Sequence, residues 1–188
     1  MSELVVVGGL NMDLHVFELR GSSGQAPLIA ERYLAQPGGK GGNVARAAAR
    51  LGASVHLVAR VGNDEFGREC VAAAARDGVD TSGVCSTADA PTGFVLIELV
   101  EGRHRSRVFA PGANDHLDWA DVEPHLAHLS RGDVVIAQAE IPAAVLDALG
   151  NLVSERGLTL FLDPTPPNRV SAHHLACAEV ITPDLAEA

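Results

Sequence analysis

The chain is poor in positive charge, in aromatic rings and in cysteine. Lys and Arg number 14 against 24 Asp and Glu, which gives a formal net charge of −10 over 188 residues. That balance argues against a nucleic-acid partner or an anionic membrane surface, because both call for a basic face. It leaves room for a small anionic ligand, since glycine loops, helix N-termini and a metal supply positive potential locally. Cys70, Cys85 and Cys177 are odd in number, far apart and without a CxxC pair, so they read as reduced thiols. The start, MSELVVVGG, has no basic segment before its apolar run, and no apolar run approaches the roughly 20 residues of a membrane span. Together these absences imply a cytoplasmic protein with no membrane partner. Repeats, low-complexity tracts and interdomain linkers are missing too, so residues 1–188 read as a single domain.

The composition that remains, 47% hydrophobic and 20% charged, is that of a folded domain. LVVV (4–7) is a β-branched run ended by Gly8-Gly9 and reads as a buried strand, as do 56–61, 134–138, 158–163 and 179–183. Helical patterns at 43–51, 65–76, 118–129, 142–156 and 171–177 lie between them. Asp64 and Asp118 can cap their helices, Pro142 suits a first turn, and Gly52, Gly78 and Gly157 follow helix ends. Buried strands alternating with amphipathic helices predict a mostly parallel, doubly wound α/β sheet with helices on both faces. Two segments, about 14–37 and 92–110, break the rhythm. The second holds two strand-like runs around Glu101-Gly102, a hairpin turn. They read as a small β-structure forming a lid over a site, with an ordinary surface hairpin as the alternative.

The most unusual stretch is QPGGKGGNVARAAARLG (36–52). It is not a P-loop, because Gly41 follows Lys40 where Ser or Thr is required. It is not a dinucleotide fingerprint either, because Val44 stands where the third glycine belongs. Consecutive glycines still permit positive φ and close backbone approach. Gly42 and Asn43 would open a helix whose free N–H groups point outward, and Asn43 adds an amide with donors and an acceptor. Such a surface suits a polyhydroxylated ligand.

Residues 37–67, PGGKGGNVARAAARLGASVHLVARVGNDEFG, resemble the first signature of the ribokinase-like, or PfkB-type, carbohydrate kinases. The same order of elements is similar elsewhere in the chain: VVVGGLNMDL (5–14), AQAEIP (137–142), LDPTP (162–166) and ITPDLAEA (181–188). N-M-D together with G-G-K-G is most similar to the ribokinase branch. The resemblance implies an ATP-dependent, Mg²⁺-assisted phosphorylation of a small sugar's primary hydroxyl, ribose being the first candidate and a nucleoside the alternative. A non-catalytic sugar-binding module is a further alternative. It implies that Asn11 and Asp13 bind sugar hydroxyls, that Gly39, Lys40, Gly41 and Gly42 let the sugar approach the backbone, that Asn43 holds it, and that Glu140 contacts it from another strand end. The family's N-x-x-E motif, which serves the nucleotide and the metal, reads Asp184-Leu185-Ala186-Glu187 here, with aspartate in place of asparagine.

No glycine-rich G-A-G-D loop occurs in the chain. The resemblance places that loop beyond Ala188, with its general-base aspartate, an oxyanion hole, the adenine pocket and ligands for a monovalent cation such as K⁺. No catalytic residue is therefore assigned within the chain. The 188 residues alone are expected to be inactive as a kinase and to self-associate, as a homodimer or otherwise, through an exposed flank. Three further patterns carry less. His125-x-x-His128 lacks a third ligand and reads as a wet helix face. His173 and His174 are adjacent and cannot share a helix face. Arg103, Arg105 and Arg107 alternate on one face of the lid hairpin and read as a solvated edge.

Overall fold

The computed structural model of the chain describes residues 4–18 and 28–184. In chain order the elements are β1 (Leu4–Val7), β2 (Asn11–Phe17), β3 (Arg32–Gly38), α1 (Lys40–Arg50), β4 (Val55–Gly62), α2 (Glu65–Arg76), β5 (Asp80–Thr87), β6 (Phe94–Val100) and β7 (Arg103–Ala110). They continue with α3 (Trp119–Leu126), β8 (Val134–Gln138), α4 (Ala143–Arg156), β9 (Thr159–Asp163), α5 (Ala172–Cys177) and β10 (Val180–Ile181). Six strands form one parallel sheet in the order β10-β9-β8-β1-β4-β5.

Successive residues of β1 point to opposite faces, and so they enter two different cores. Val5 and Val7 pack with Leu126, Val145 and Leu149 of α3 and α4. Val6 packs with Ala45, Leu57, Cys70 and Ala74 beneath α1 and α2. The helix ends follow the expected chemistry. Asp64 caps α2 through Gly67 N–H, Asp118 and Asp121 form a capping box on α3, and Gly157 ends α4 with φ of 65°. None of the helices among the described residues is long and apolar enough to cross a membrane.

The lid is a second sheet, four strands in the order β3-β2-β6-β7. The hairpin turn falls at Glu101-Gly102 as expected, with both residues at positive φ. Residues 19–27, inside the first lid segment, lie outside the described residues.

The structure departs from the sequence reading in several places. Strand β5, DTSGVCST, was not expected: it is an edge strand built from small polar residues and carries no apolar run. Helix α1 begins at Lys40, three residues early, because Gly39 at φ 81° turns the chain directly into it. Strand β10 is only two residues long. A bulge between Glu98 and Leu99 interrupts the alternation along β7. Ile97 therefore pairs with Arg107 and Glu98 with Ser106, while Arg105 bonds to Glu98, so the three arginines do not share a face. His125 is not on a wet face: its Nδ1 lies 3.0 Å from His56 Nε2, and His56 bonds in turn to Asp80.

Candidate functional site

Strand order reverses at β1, whose neighbours β8 and β4 are reached in opposite directions along the sheet. Ligands of open parallel sheets bind outside the carboxyl ends of the strands at such a switch point. Here the turn after β1, the start of α1, the end of β8 and the lid sheet enclose a cavity of about 240 Å³. Its floor carries Asp13, Gly39, Asn43 and Glu140, and its roof carries Val95, Ile97, His104 and Arg107 of the lid.

Each carboxylate occupies space that a glycine leaves open. A Cβ on Gly9 would stand 2.2 Å from Glu140 Oε2, and one on Gly38 would stand 2.0 Å from Asp13 Oδ2. Glu140 is 6% exposed and accepts from Asn11 Nδ2 at 3.2 Å and from the Lys40 N–H at 3.0 Å. Burial pushes its pKa up to about 7, against the lowering effect of the Lys40 N–H and charge. Burial also raises the pKa of Asp13, opposed by His15 and by a bond from the Gly39 backbone. Both groups are acceptors at a partly dry surface, which suits hydroxyl donors.

The predicted site residues fall into two sets. Asp13, Gly39, Asn43 and Glu140 face the cavity as the resemblance implied, and the Asn43 amide makes no hydrogen bond to a described residue. The others need correction. Asn11 is fully buried, with its amide held between Glu140 and Asn114 Nδ2 at 2.6 Å, so it positions Glu140 and does not present itself to a ligand. Lys40, the single lysine of the chain, lines the cavity, but its ammonium is bound to Asp163 at 2.8 Å and to Thr165 Oγ1 at 2.6 Å. Gly41 and Gly42 are buried. A Cβ on Gly41 would meet the Gly8 backbone at 2.8 Å and one on Gly42 would meet Leu10 at 2.6 Å, so these glycines let α1 close onto the β1 turn and do not cradle a ligand. The N–H groups at the start of α1 are correspondingly spent inside the fold: Lys40 N–H on Glu140, Gly42 N–H on Gly9 O. Asp184 is exposed and does not line the cavity, and Glu187 lies outside the described residues. Among the described residues no group of three or more His, Cys, Asp or Glu is arranged to hold a metal ion.

Sequence reasoning missed three supports. Asn114 donates to Asn11 and to Pro111 O and accepts from Leu10 N–H, tying the β1 turn to the end of the lid hairpin. Asp163 anchors Lys40 from the β9 end, inside the quoted LDPTP. Asp64, the aspartate of the G-x-D-x-x-G element, accepts from Thr92 N–H at 2.8 Å and Thr92 Oγ1 at 2.6 Å, and so fixes the other end of the hairpin. The signal for Asp64 and Asp163 was their place within motifs already quoted. Asn114 carried none.

Comparison with known proteins agrees with this geometry. The family model described as "pfkB family carbohydrate kinase" matches residues 1–188. A ribokinase of Haemophilus influenzae is 31% identical over 98% of the chain, which spans 60% of that protein. A ribokinase of Bacillus subtilis is 31% identical over the whole chain, which spans 64% of it. Among solved structures, Arabidopsis thaliana ribokinase complexed with ribose and ATP superposes with a TM-score of 0.81 at 26% identity, over 99% of this chain and 61% of that one. A Cryptococcus neoformans ribokinase in complex with ADP gives 0.75 at 27% identity, over 88% and 52%. The chain thus spans less than two thirds of the length of the relatives it matches.

Proposed function

The chain belongs to the pfkB family of carbohydrate kinases, and on that premise we propose that it carries the sugar-binding half-site of an ATP-dependent kinase of the ribokinase type. The observation that carries the reading is the convergence of Asp13, Glu140 and the unbonded Asn43 amide on one small cavity under a β-lid. At about 240 Å³ that cavity lies below the roughly 300–1,000 Å³ of drug-sized sites, which suits a small sugar. Asp13 and Glu140 accept hydroxyl protons, Asn43 both donates and accepts, and Val95 and Ile97 cover the C–H face. Closing the lid hairpin excludes water, which otherwise competes as phosphoryl acceptor.

The reaction we infer is transfer of a phosphoryl group from ATP to the sugar's primary hydroxyl. The floor residues hold that hydroxyl in place, and the general base is the aspartate of the family's glycine-rich loop, in the part of the relatives that this chain does not match. ATP and Mg²⁺ would be served by Asp184 and Glu187 through the family motif. The described residues do not assemble a metal-binding set, so no step is routed through the ion. Ribose is the reference sugar, because it is the one named in the complex of the Arabidopsis relative.

The test is sugar-dependent ADP release by the full natural protein that carries this chain, with ATP, Mg²⁺ and ribose, against a no-sugar control. Asp13→Ala should lower kcat/KM by roughly 100-fold, the loss expected when hydrogen bonds to a charged group disappear. ADP release that ignores the sugar, or a variant as active as the parent, would overturn the reading.

A further inference from the structure

The roof of the cavity holds a cation that a neutral sugar does not require. Arg107 lies on β7, paired with Ile97, and lines the cavity. Among the described residues it makes no hydrogen bond or ion pair. Its neighbours in sequence differ. Arg105 is turned to the other face by the bulge and bonds to Glu98 at 2.9 Å, with Ser106 bonding the same carboxylate at 2.8 Å. A charge that only protects a sheet edge would serve as well on that face. Lys40 cannot take the part either, because Asp163 and Thr165 hold its ammonium. Arg107 is thus the guanidinium left to meet an incoming group, with His104 beside it on the same roof.

The arrangement is polarised. Acceptors, Asp13 and Glu140, make the floor, and the fork of a guanidinium, which matches carboxylate and phosphate geometry, hangs from the lid. Polyol hydroxyls fit the floor. An oxyanion fits the roof, at the end of the cavity away from the two carboxylates. We infer that the substrate of this site is a small sugar bearing an acidic group, a carboxylate or a phosphate, and that Arg107 on the lid is the residue that selects it. This rests on the sugar-kinase reading and narrows its substrate class.

The experiment is isothermal titration of the full natural protein with D-ribose, D-ribonate and D-ribose 1-phosphate at low and high salt. The expected result is that at least one of the two anions binds roughly tenfold or more tightly than ribose, the gain of one charge-assisted contact. Higher salt should reduce that preference. The identity of the preferred anion tells a carboxylate from a phosphate. Arg107→Leu should abolish the preference and Arg107→Lys should keep part of it, whereas Arg105→Leu, on the opposite face, should keep it whole. If ribose binds and neither anion binds better, or if Arg107→Leu keeps the preference, the inference is wrong while the sugar site stands. If none of the three sugars binds, the sugar-site reading fails and the inference falls with it.

Discussion

Glu140 is a carboxylate that the fold keeps almost dry, with two donors on one of its oxygens. A buried carboxyl whose pKa rises from 4.5 to about 7 stabilises the fold most at low pH. That contribution is complete below pH 4.5 and is lost as pH climbs through 7. Glu140→Gln keeps an acceptor for Asn11 and Lys40 N–H and does not titrate. Between pH 4.5 and pH 8 the parent should therefore lose about 3 kcal/mol relative to the variant. Denaturant unfolding at the two pH values measures the difference, and parallel curves would show that Glu140 does not titrate as described. Its role was legible in AQAEIP. Its burial was not, because the space it fills is made by Gly9, 131 positions earlier in the chain. Asn11 misled in the same way. A polar residue after a strand looks like a ligand contact until its two amide ends are seen to be taken by Glu140 and Asn114.

At the scale of elements, the lid hairpin is held at both of its ends by side chains outside it. Asp64 caps α2 and also receives two bonds from Thr92, where β6 begins. Asn114 receives the chain after β7. Partial burial pushes the Asp64 pKa up, but bonds from Thr92 and Gly67 outweigh it and hold the carboxyl below its usual range. Its stabilisation is therefore present at neutral pH and is lost as pH falls through that lowered pKa. Asp64→Ala removes a cap, which costs about 1 kcal/mol, and leaves the two Thr92 donors unmet, for a total of about 2 kcal/mol. Hydrogen exchange should show β6 and β7 opening faster than the main sheet in this variant; uniform protection would mean that the hairpin does not depend on Asp64. The main-sheet strands were legible because buried parallel strands read as apolar runs. Strand β5 was hidden by its small polar residues, and the bulge in β7 by the fact that register is a property of two strands at once.

The whole molecule joins a parallel sheet, which fixes the positions of Asp13, Glu140 and the start of α1, to a lid sheet, which supplies the roof and with it Arg107. The sheet and the family signature were legible from end to end, since the glycines and the caps sit where backbone geometry demands them. The roof was not, because a lid's contribution depends on which face of each strand turns inward. The outer edge of β10 pairs with no described strand, and Ile181 beside it is 40% exposed, so the sheet has an edge on which further structure can pack. The relatives, of which this chain spans about 60%, are long enough to supply it. The claim that all of this serves is that a sugar lies between the α1 start and the lid. The most direct measurement is the position of the tightest-binding sugar in a crystal structure of the complex with the full natural protein. The account predicts hydroxyls within about 2.6–3.2 Å of the Asp13 and Glu140 carboxylates, beneath Val95 and Ile97. A sugar seated elsewhere, with those two carboxylates untouched, would contradict it.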